Sequence, residues 1–401
     1  MLASIDAELF SGNIVPVTGL EKLPLNPASR RLLLLAARGG WDAAQQAQAE
    51  RLVPEVVDWE AFCSVAIRAM GVGAVYRRLA PLQGVPEAAL SRMQHAARAV
   101  TMHTLQVEAA LLAFKARHLD PMGLPHAFFK GVTLAHRYHV EPSARPCRDV
   151  DVLVQPDGAF ALLQRLCQAG FTPARPIGTS DRDLQRWMRQ ETVQGMRSPE
   201  GVLIEVHRSL DHGDDVLDVG RLLSRTETLL LRERPVPVFR TADLFVYMCM
   251  HHTRHFWSHL HWYADLDAVS AHPLFDLDEV REVASATRLS STVEACLQLN
   301  ALVRTGDWPE PRPADQAPVA ALLSHSIECL EGGQAREVAL RATRLSADRA
   351  FAWQTAPAER PRLLVLRMHH RLRKQVRRVH DFLRRRLRQW LGHAEAGGQE
   401  G

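Results

Sequence analysis

The spacing of apolar residues divides the chain into a helical region, a mixed region and a second helical region. Through residues 29–119 apolar side chains recur every three or four positions, which predicts amphipathic helices. Residues 58–79 begin at Asp58, a residue type that caps helix N-termini, and residues 86–119 fit one long helix. The first region, 1–119, is therefore predicted to be helical.

Between residues 120 and 238 short apolar runs alternate with turn residues, which predicts strands and short helices. The predicted elements are a strand at 127–129, a Lys130-Gly131 turn, a helix at 132–139, a strand at 148–154, a helix at 157–170, an extended piece at 171–176, a helix at 182–189, and a hairpin of 191–198 with 202–210. This region is expected to hold the sheet.

Helical spacing returns near residue 239. The predicted elements are one helix at 241–270 with Thr241 as its N-cap, one or two helices at 276–303, a Pro-rich loop at 305–317, and two helices at 318–331 and 334–351. The pattern therefore predicts an α+β fold in four regions: 1–119, 120–238, 239–356 and 357–401.

Composition narrows the class of protein. Of 401 residues, 46% are apolar and 23% are charged, as in ordinary globular proteins, and no apolar run is long enough to span a membrane. The N-terminus lacks the basic and apolar regions of a signal peptide. Six scattered cysteines form no CxxC pair, which argues against a zinc ribbon or a disulfide framework and favours a reducing cytoplasm.

Basic charge is concentrated near the C-terminus. Residues 361–391 hold eleven Lys and Arg and one acid, and removing them leaves 38 basic and 44 acidic residues. Apolar residues recur there at helical spacing, which predicts an amphipathic helix followed by a disordered end. Its basic face is expected to meet the acidic body, another acidic protein, or an anionic membrane surface that would make the protein membrane-peripheral. Nucleic acid is the less expected partner.

Two acids in the second predicted strand carry the candidate chemistry. Asp149 and Asp151 are two positions apart, so both carboxylates project from one face, while Val150 and Val152 enter the core. Adjacent like charges are costly without a cation between them. Oxygen ligands of this kind suit a divalent metal ion, although a lone D-x-D is a weak signal and exposed pairs are common.

The surroundings of the pair strengthen this interpretation. A D-x-D strand that follows a Lys-Gly turn and a helix, with a single acid on a later strand, is the layout of the nucleotidyltransferase superfamily. Here the later acid is Glu205. Three such carboxylates can hold two Mg²⁺ ions, with Mn²⁺ as an alternative.

Further residues have expected roles in phosphate or nucleotide binding. The backbone at Gly131 and the helix N-terminus after it would face phosphates, and Lys130 would bind a phosphate as a point charge. Arg148 is expected to steady the leaving group or the carboxylates. His207 is expected to orient a carboxylate or contact the nucleotide.

Several stretches resemble one bacterial family more closely. FFKGVTLAHRYH, RPCRDVDVLV and LIEVHRSL are similar to motifs of the family described as uncharacterised nucleotidyltransferases, found in gene clusters for polysaccharide and lasso peptide biosynthesis. The resemblance covers roughly residues 30–305. It implies a minimal, polymerase beta-like mixed-sheet core between helical segments, Mg²⁺ dependence and an NTP substrate. Lys130-Gly131 replaces the superfamily's usual Gly-Ser pair, so a serine phosphate contact cannot be transferred.

The predicted helix 241–270 carries the last candidates. His251 and His255 share one helix face at the spacing of a zinc pair, with Asp265 as the nearby third ligand. The preferred interpretation is that His251, Arg254 and His255 meet phosphates or the acceptor, while Asp265 holds a histidine tautomer. The nearby Trp257 and Trp262 are expected in the core rather than stacked on a base.

Together these features predict an enzyme that transfers an NMP group from an NTP, most simply ATP, to a hydroxyl of a small molecule or peptide, releasing pyrophosphate. Two alternatives stay open. One is a non-catalytic NTP-binding scaffold of a biosynthetic complex. The other is an RNA-modifying nucleotidyltransferase anchored by the basic tail.

Overall fold

The computed structural model describes residues 25–210, 216–305 and 318–343, together with Leu372 and Val376. All but the last two belong to one compact unit, Met1–Gln354, and those two belong to a second unit, Thr355–Gly401. Apart from Leu372 and Val376, the predicted basic helix therefore lies outside the described residues, and so does most of the Pro-rich loop.

Helices precede and follow the sheet. The five before the first strand are α1 (Pro27–Ala36), α2 (Ala43–Leu52), α3 (Trp59–Arg68), α4 (Val72–Leu79) and α5 (Glu87–Phe114). Those within the sheet region are α6 (Gly131–Tyr138), α7 (Ala159–Gln168), α8 (Asp181–Gln190) and α9 (Val219–Ser224). The last five are α10 (Thr241–Arg254), α11 (Leu260–Ser270), α12 (Leu277–Ala286), α13 (Ser290–Thr305) and α14 (Pro318–Thr343). α14 is broken by a kink at Gly333, where φ is 63° and ψ is −160°, and this agrees with the predicted break between residues 331 and 334. In the described part of the chain, no helix is both long and apolar enough to cross a membrane.

The described strands form one mixed sheet of seven strands. They are β1 (His126–Phe128), β2 (Asp149–Val154), β3 (Thr172–Pro173), β4 (Val193–Arg197), β5 (Leu203–His207), β6 (Glu227–Leu231) and β7 (Arg234–Val238). The spatial order is β3-β4-β5-β2-β1-β7-β6. β2 runs parallel to β5 and β1 parallel to β7, whereas the other neighbours are antiparallel. The predicted α+β class, with a mixed sheet between helical segments, is confirmed.

Alternation along β2 and β5 separates the two faces of the sheet. Val150, Val152, Ile204 and Val206 are fully buried in one core, packed with residues of α5, α7 and α8. Leu153, on the opposite face, belongs to a second core built mainly from the flanking helices. Since burying such a side chain stabilises the fold by about 1.5–3 kcal/mol, the alternation fixes which face the acids occupy.

The β6–β7 hairpin was not predicted. Its two turn residues, Arg232 and Glu233, both have positive φ (48° and 63°), the geometry of a type I′ turn. Such a turn is normally recognised by Asn-Gly or Asp-Gly at its two central positions, where this chain has Arg232 and Glu233. Pro235 and Pro237 in β7 also argue against a strand, although prolines are tolerated near a sheet edge.

The prediction of one helix over residues 241–270 was wrong. α10 ends at Arg254 and α11 begins at Leu260, because Phe256 and Trp257 adopt left-handed φ values of 53° and 52°. Trp257 is fully buried, and the Leu260 N–H donates to the Ala69 carbonyl (2.7 Å), so tertiary packing overrides the local helical pattern.

The N-cap of α10 was also misplaced. It is Arg240, which makes no side-chain capping bond. The Thr241 hydroxyl instead lies 3.0 Å from the Tyr138 hydroxyl.

Candidate active site

The parallel pairing of β2 and β5 brings the predicted acids together. Asp151 is the direct partner of Glu205, and Leu153 that of His207, one step along the same face. Asp149 lies two residues before Asp151 and therefore also faces this side. The strand-level predictions for these four polar residues are thus realised on a single sheet face.

Asp151 is the centre of the site. Its Oδ1 lies 3.0 Å from Lys130 Nζ and 2.9 Å from His207 Nε2, and its side chain is only 3% exposed. Burial opposes ionisation, but the charges and hydrogen bonds of Lys130 and His207 hold the pKa of Asp151 well below its usual range. His207 in turn has a raised pKa, because bonding to Asp151 and Glu205 outweighs its burial.

The pKa of Asp149 is shifted in the opposite direction from that of Asp151. Burial, followed by the negative charges of Asp151 and Glu205, raises its pKa to about 7, against the lowering effects of Arg148 and Lys130. Three carboxylates are thus gathered closely enough that Asp149 is only partly ionised near neutral pH, and a divalent ion beside them would favour its ionised form.

The donor atoms fit such an ion. Asp151, Glu205 and His207 each offer a ligand atom, and these atoms lie within 4.8 Å of one another. No other group of three donors in the described residues meets that distance. Carboxylate oxygens are the preferred ligands of Mg²⁺ and also suit Mn²⁺.

The Lys130-Gly131 turn packs directly against the start of β2. Lys130 occupies the N-cap position of α6, and its carbonyl accepts from the Thr133 hydroxyl (3.0 Å). Gly131 has φ +55°, and a Cβ there would meet the Asp149 carbonyl oxygen at 3.3 Å. Glycine is therefore required both by the left-handed backbone and by the close approach.

Tyr247 is a site residue that sequence reasoning missed. Lys130 Nζ lies 5.3 Å from the centre of the Phe129 ring and 5.4 Å from that of Tyr247, a cation–π arrangement. Burial raises the pKa of Tyr247 to about 12, so the phenol is neutral. The available signal was its position four residues before His251 on one helix face.

His251 and His255 extend from Tyr247 along α10. The Tyr247 hydroxyl lies 3.3 Å from His251 Nδ1, and the two histidine rings are 4.8 Å apart. Burial and the charge of Lys130 lower the pKa of His251 well below its usual value, so its imidazole is neutral near pH 7. His255 bonds to Glu337 (2.7 Å).

The other predicted site residues lie around this group. Arg254 is half-buried on α10, close enough for its charge to act on His251. Arg148 is exposed beside Asp149. Asp265 is fully buried and bonds to Arg145 and His139 rather than to His251 or His255. Since the described residues offer His251 and His255 no third ligand in metal-binding geometry, the zinc alternative has no support.

The two tryptophans are buried, as predicted. Trp257 is fully buried. Trp262 is stacked between the rings of His252 and His259, whose centres lie 4.4 Å and 4.5 Å from its own. With both faces covered, Trp262 is not a platform for a nucleobase.

Sequence comparison decides the family. The family described as "Uncharacterised nucleotidyltransferase" matches residues 55–304. The chain belongs to this family. The match contains all eleven predicted site residues and agrees with the extent of the resemblance seen in the sequence. No curated protein matches the chain.

One solved structure shows a weak likeness to this chain. It is the crystal structure of an antigenic nucleotidyltransferase-like protein from Paracoccidioides brasiliensis, with 13% identity and a TM-score of 0.27. The alignment covers 48% of this chain and 91% of that one. At that TM-score the likeness supports no conclusion about the site.

Proposed function

We propose that this nucleotidyltransferase uses Mg²⁺ to transfer an NMP group from an NTP to a hydroxyl of a small molecule or peptide. The observation that carries the proposal is the pairing of Asp151 with Glu205 on parallel strands, with Asp149 two residues away. This arrangement concentrates three carboxylates beside a glycine turn at a helix N-terminus, where phosphate groups are favoured.

Asp151 and Glu205, which share one group of donor atoms, would hold the metal; Asp149 lies outside that group and is proposed as a further carboxylate ligand. When bound, Mg²⁺ would supply charge neutralisation for the triphosphate and would lower the pKa of the acceptor hydroxyl. His207 keeps Asp151 ionised and oriented through its 2.9 Å contact. Two ions are expected, because three carboxylates can hold a pair.

The remaining residues act on the substrate. The acceptor oxygen attacks the α-phosphorus, the α–β anhydride bond breaks, and pyrophosphate leaves with the electron pair. Glu205, whose side chain is 32% exposed, is placed to accept the acceptor proton. Lys130, Gly131 and Arg148 would contact the phosphates. Because its imidazole is neutral, His251 would bind substrate by hydrogen bonding rather than as a cation.

The choice of a small-molecule or peptide acceptor rests on the resemblance, noted in the sequence, to a family met in biosynthetic gene clusters. The test is incubation with each of the four labelled NTPs, ATP first, with Mg²⁺ and with or without cell extract. Pyrophosphate and a labelled product are expected from the wild type.

Asp149→Asn combined with Asp151→Asn should lower the rate by at least about 10²–10³-fold. Asp157→Asn is the matched control, because Asp157 is exposed just beyond the same strand. If wild type and double variant bind Mg²⁺ and NTP equally and neither releases pyrophosphate, the protein is a binding scaffold and the enzyme proposal fails.

A further inference from the structure

One buried carboxylate is linked to both ends of the helix that follows the lysine-glycine turn, directly at the C-terminal end and through Arg145 at the N-terminal end. Asp265 of α11 receives two bonds from Arg145, Nε to Oδ1 at 2.6 Å and Nη2 to Oδ2 at 2.7 Å. Arg145 Nη1 also donates to the carbonyl of Gly131, the first residue of α6, at 3.3 Å. At the other end, His139 directly follows α6, and its Nε2 lies 2.8 Å from Asp265 Oδ1.

Arg145 also reaches the segment that enters β2. Its Nη1 donates to the Pro146 carbonyl (3.2 Å), and its own carbonyl accepts from the Thr104 hydroxyl (3.3 Å). The same hydroxyl accepts from the Cys147 N–H at 3.2 Å. A single guanidinium thus joins the turn, the approach to Asp149 and the C-terminal helices.

The Arg145–Asp265 ion pair is almost completely removed from solvent. The side chains of Arg145 and Asp265 are 6% and 0% exposed. Buried ion pairs add little net stability compared with apolar residues of similar size, yet removing one partner costs about 3–5 kcal/mol. Because the ion pair stabilises the fold no better than apolar residues would, its contacts suggest a second role. The bond from Arg145 to the Gly131 carbonyl indicates that this role is to position the lysine-glycine turn.

We propose that Arg145 and Asp265 are positioning residues that hold the Lys130-Gly131 turn at the distance from Asp149 and Asp151 that metal and phosphate binding requires. We call this pair the Arg145–Asp265 clamp. The inference rests on the proposed function, because it assigns the clamp a role at the metal and phosphate site. Gly131 already lies at the limit of approach to the Asp149 carbonyl, so a shift of the turn moves Lys130 relative to Asp151.

The test replaces the pair while preserving the packing. Arg145→Met combined with Asp265→Leu removes both charges together and so avoids leaving one buried and unpaired. Asp267, which lies on the same helix as Asp265, forms a second buried ion pair with Arg38 at 2.8 Å and provides the matched control. The Arg38 side chain is 2% exposed and that of Asp267 is 10% exposed. Arg38→Met combined with Asp267→Leu makes the same chemical change without touching the turn.

Three measurements are made on the full chain: thermal unfolding, amide hydrogen exchange across residues 126–154, and affinity for Mn²⁺ alone and for Mg²⁺-ATP. The clamp variant should exchange faster around Gly131 and bind Mn²⁺ about tenfold or more weakly, even where its unfolding temperature matches the control's. The control variant should retain wild-type exchange and affinity.

The proposal is overturned if the clamp variant keeps wild-type exchange at the turn and wild-type Mn²⁺ affinity. It is also overturned if both double variants lose affinity equally, since that is a general effect of destabilisation. If the wild type binds neither Mn²⁺ nor Mg²⁺-ATP, the proposed function fails, and the exchange comparison alone decides whether the clamp positions the turn.

Discussion

Glu205 is the direct cross-strand partner of Asp151, on a parallel pair of strands that come from segments of the chain more than fifty residues apart. The two carboxylates would repel each other in an ordinary sheet. His207 lies between them, with Nε2 at 2.9 Å from Asp151 and 3.6 Å from Glu205. A divalent cation at this position would compensate both acids, as the proposed function requires.

Glu205→Gln should weaken Mn²⁺ binding by about tenfold or more, because it removes one negative ligand while keeping the side-chain shape. Electron paramagnetic resonance of Mn²⁺ titrations measures the affinity. Glu200→Gln is the control, since Glu200 is exposed in the turn of the same hairpin. Equal affinities in the two variants would remove Glu205 from the metal site.

His207→Phe should also weaken Mn²⁺ binding, by about 10–100-fold, because Asp151 loses the group that orients it. The ring itself is accommodated, since His207 packs edge-on against Phe129 with centres 5.0 Å apart. His118→Phe provides the control: His118 packs edge-on against Phe171 at 5.2 Å and contacts no carboxylate. Isothermal titration of both variants should separate them, and a wild-type affinity for His207→Phe would contradict the role.

A separate ionic cluster should affect stability in acid. Burial opposes the ionisation of Glu108, but bonds from Arg232 (2.6 Å) and His136 (2.8 Å) lower its pKa. A depressed carboxyl pKa contributes stability that is complete above the unfolded value, roughly 4.3, and is lost as the pH falls through the folded value.

Glu108→Gln should therefore flatten the dependence of unfolding free energy on pH between about pH 5 and 3, measured by urea denaturation. Glu50→Gln is the control and should leave the slope unchanged, because the Glu50 side chain is exposed on α2. An unchanged slope in Glu108→Gln would mean that this cluster does not link α5 to the β6–β7 hairpin energetically.

The acids could be predicted from sequence because each sits in a short period-two pattern. Val150 and Val152 define one face of β2, and Ile204 and Val206 define one face of β5, so Asp149, Asp151, Glu205 and His207 must face the other way. Local alternation was sufficient to predict which face of the sheet each side chain occupies. The pairing of Asp151 with Glu205 needed the superfamily layout in addition.

Residues whose role depends on tertiary contact could not be predicted. Arg145 appears in the sequence as one loop arginine among many, and only the fold shows its bonds to Asp265 and Gly131. Tyr247 was hidden within an apolar helix pattern. The break after Arg254 arises from the burial of Trp257, which a helical period cannot reveal.

Gly131→Ala separates backbone strain from site geometry. Gly131 and Gly123 have nearly identical φ values of +55° and +56°, so alanine should destabilise either position by about 1–2 kcal/mol. A Cβ at Gly123 meets nothing within 4 Å, whereas at Gly131 it lies 3.3 Å from the Asp149 carbonyl oxygen. Both variants should unfold at reduced urea concentrations, Gly131→Ala at the lower one because of its additional close contact, and only Gly131→Ala should lose Mn²⁺ affinity, because its turn must move away from Asp149. If both variants bind Mn²⁺ as the wild type does, the close approach of turn and strand is irrelevant to the metal site.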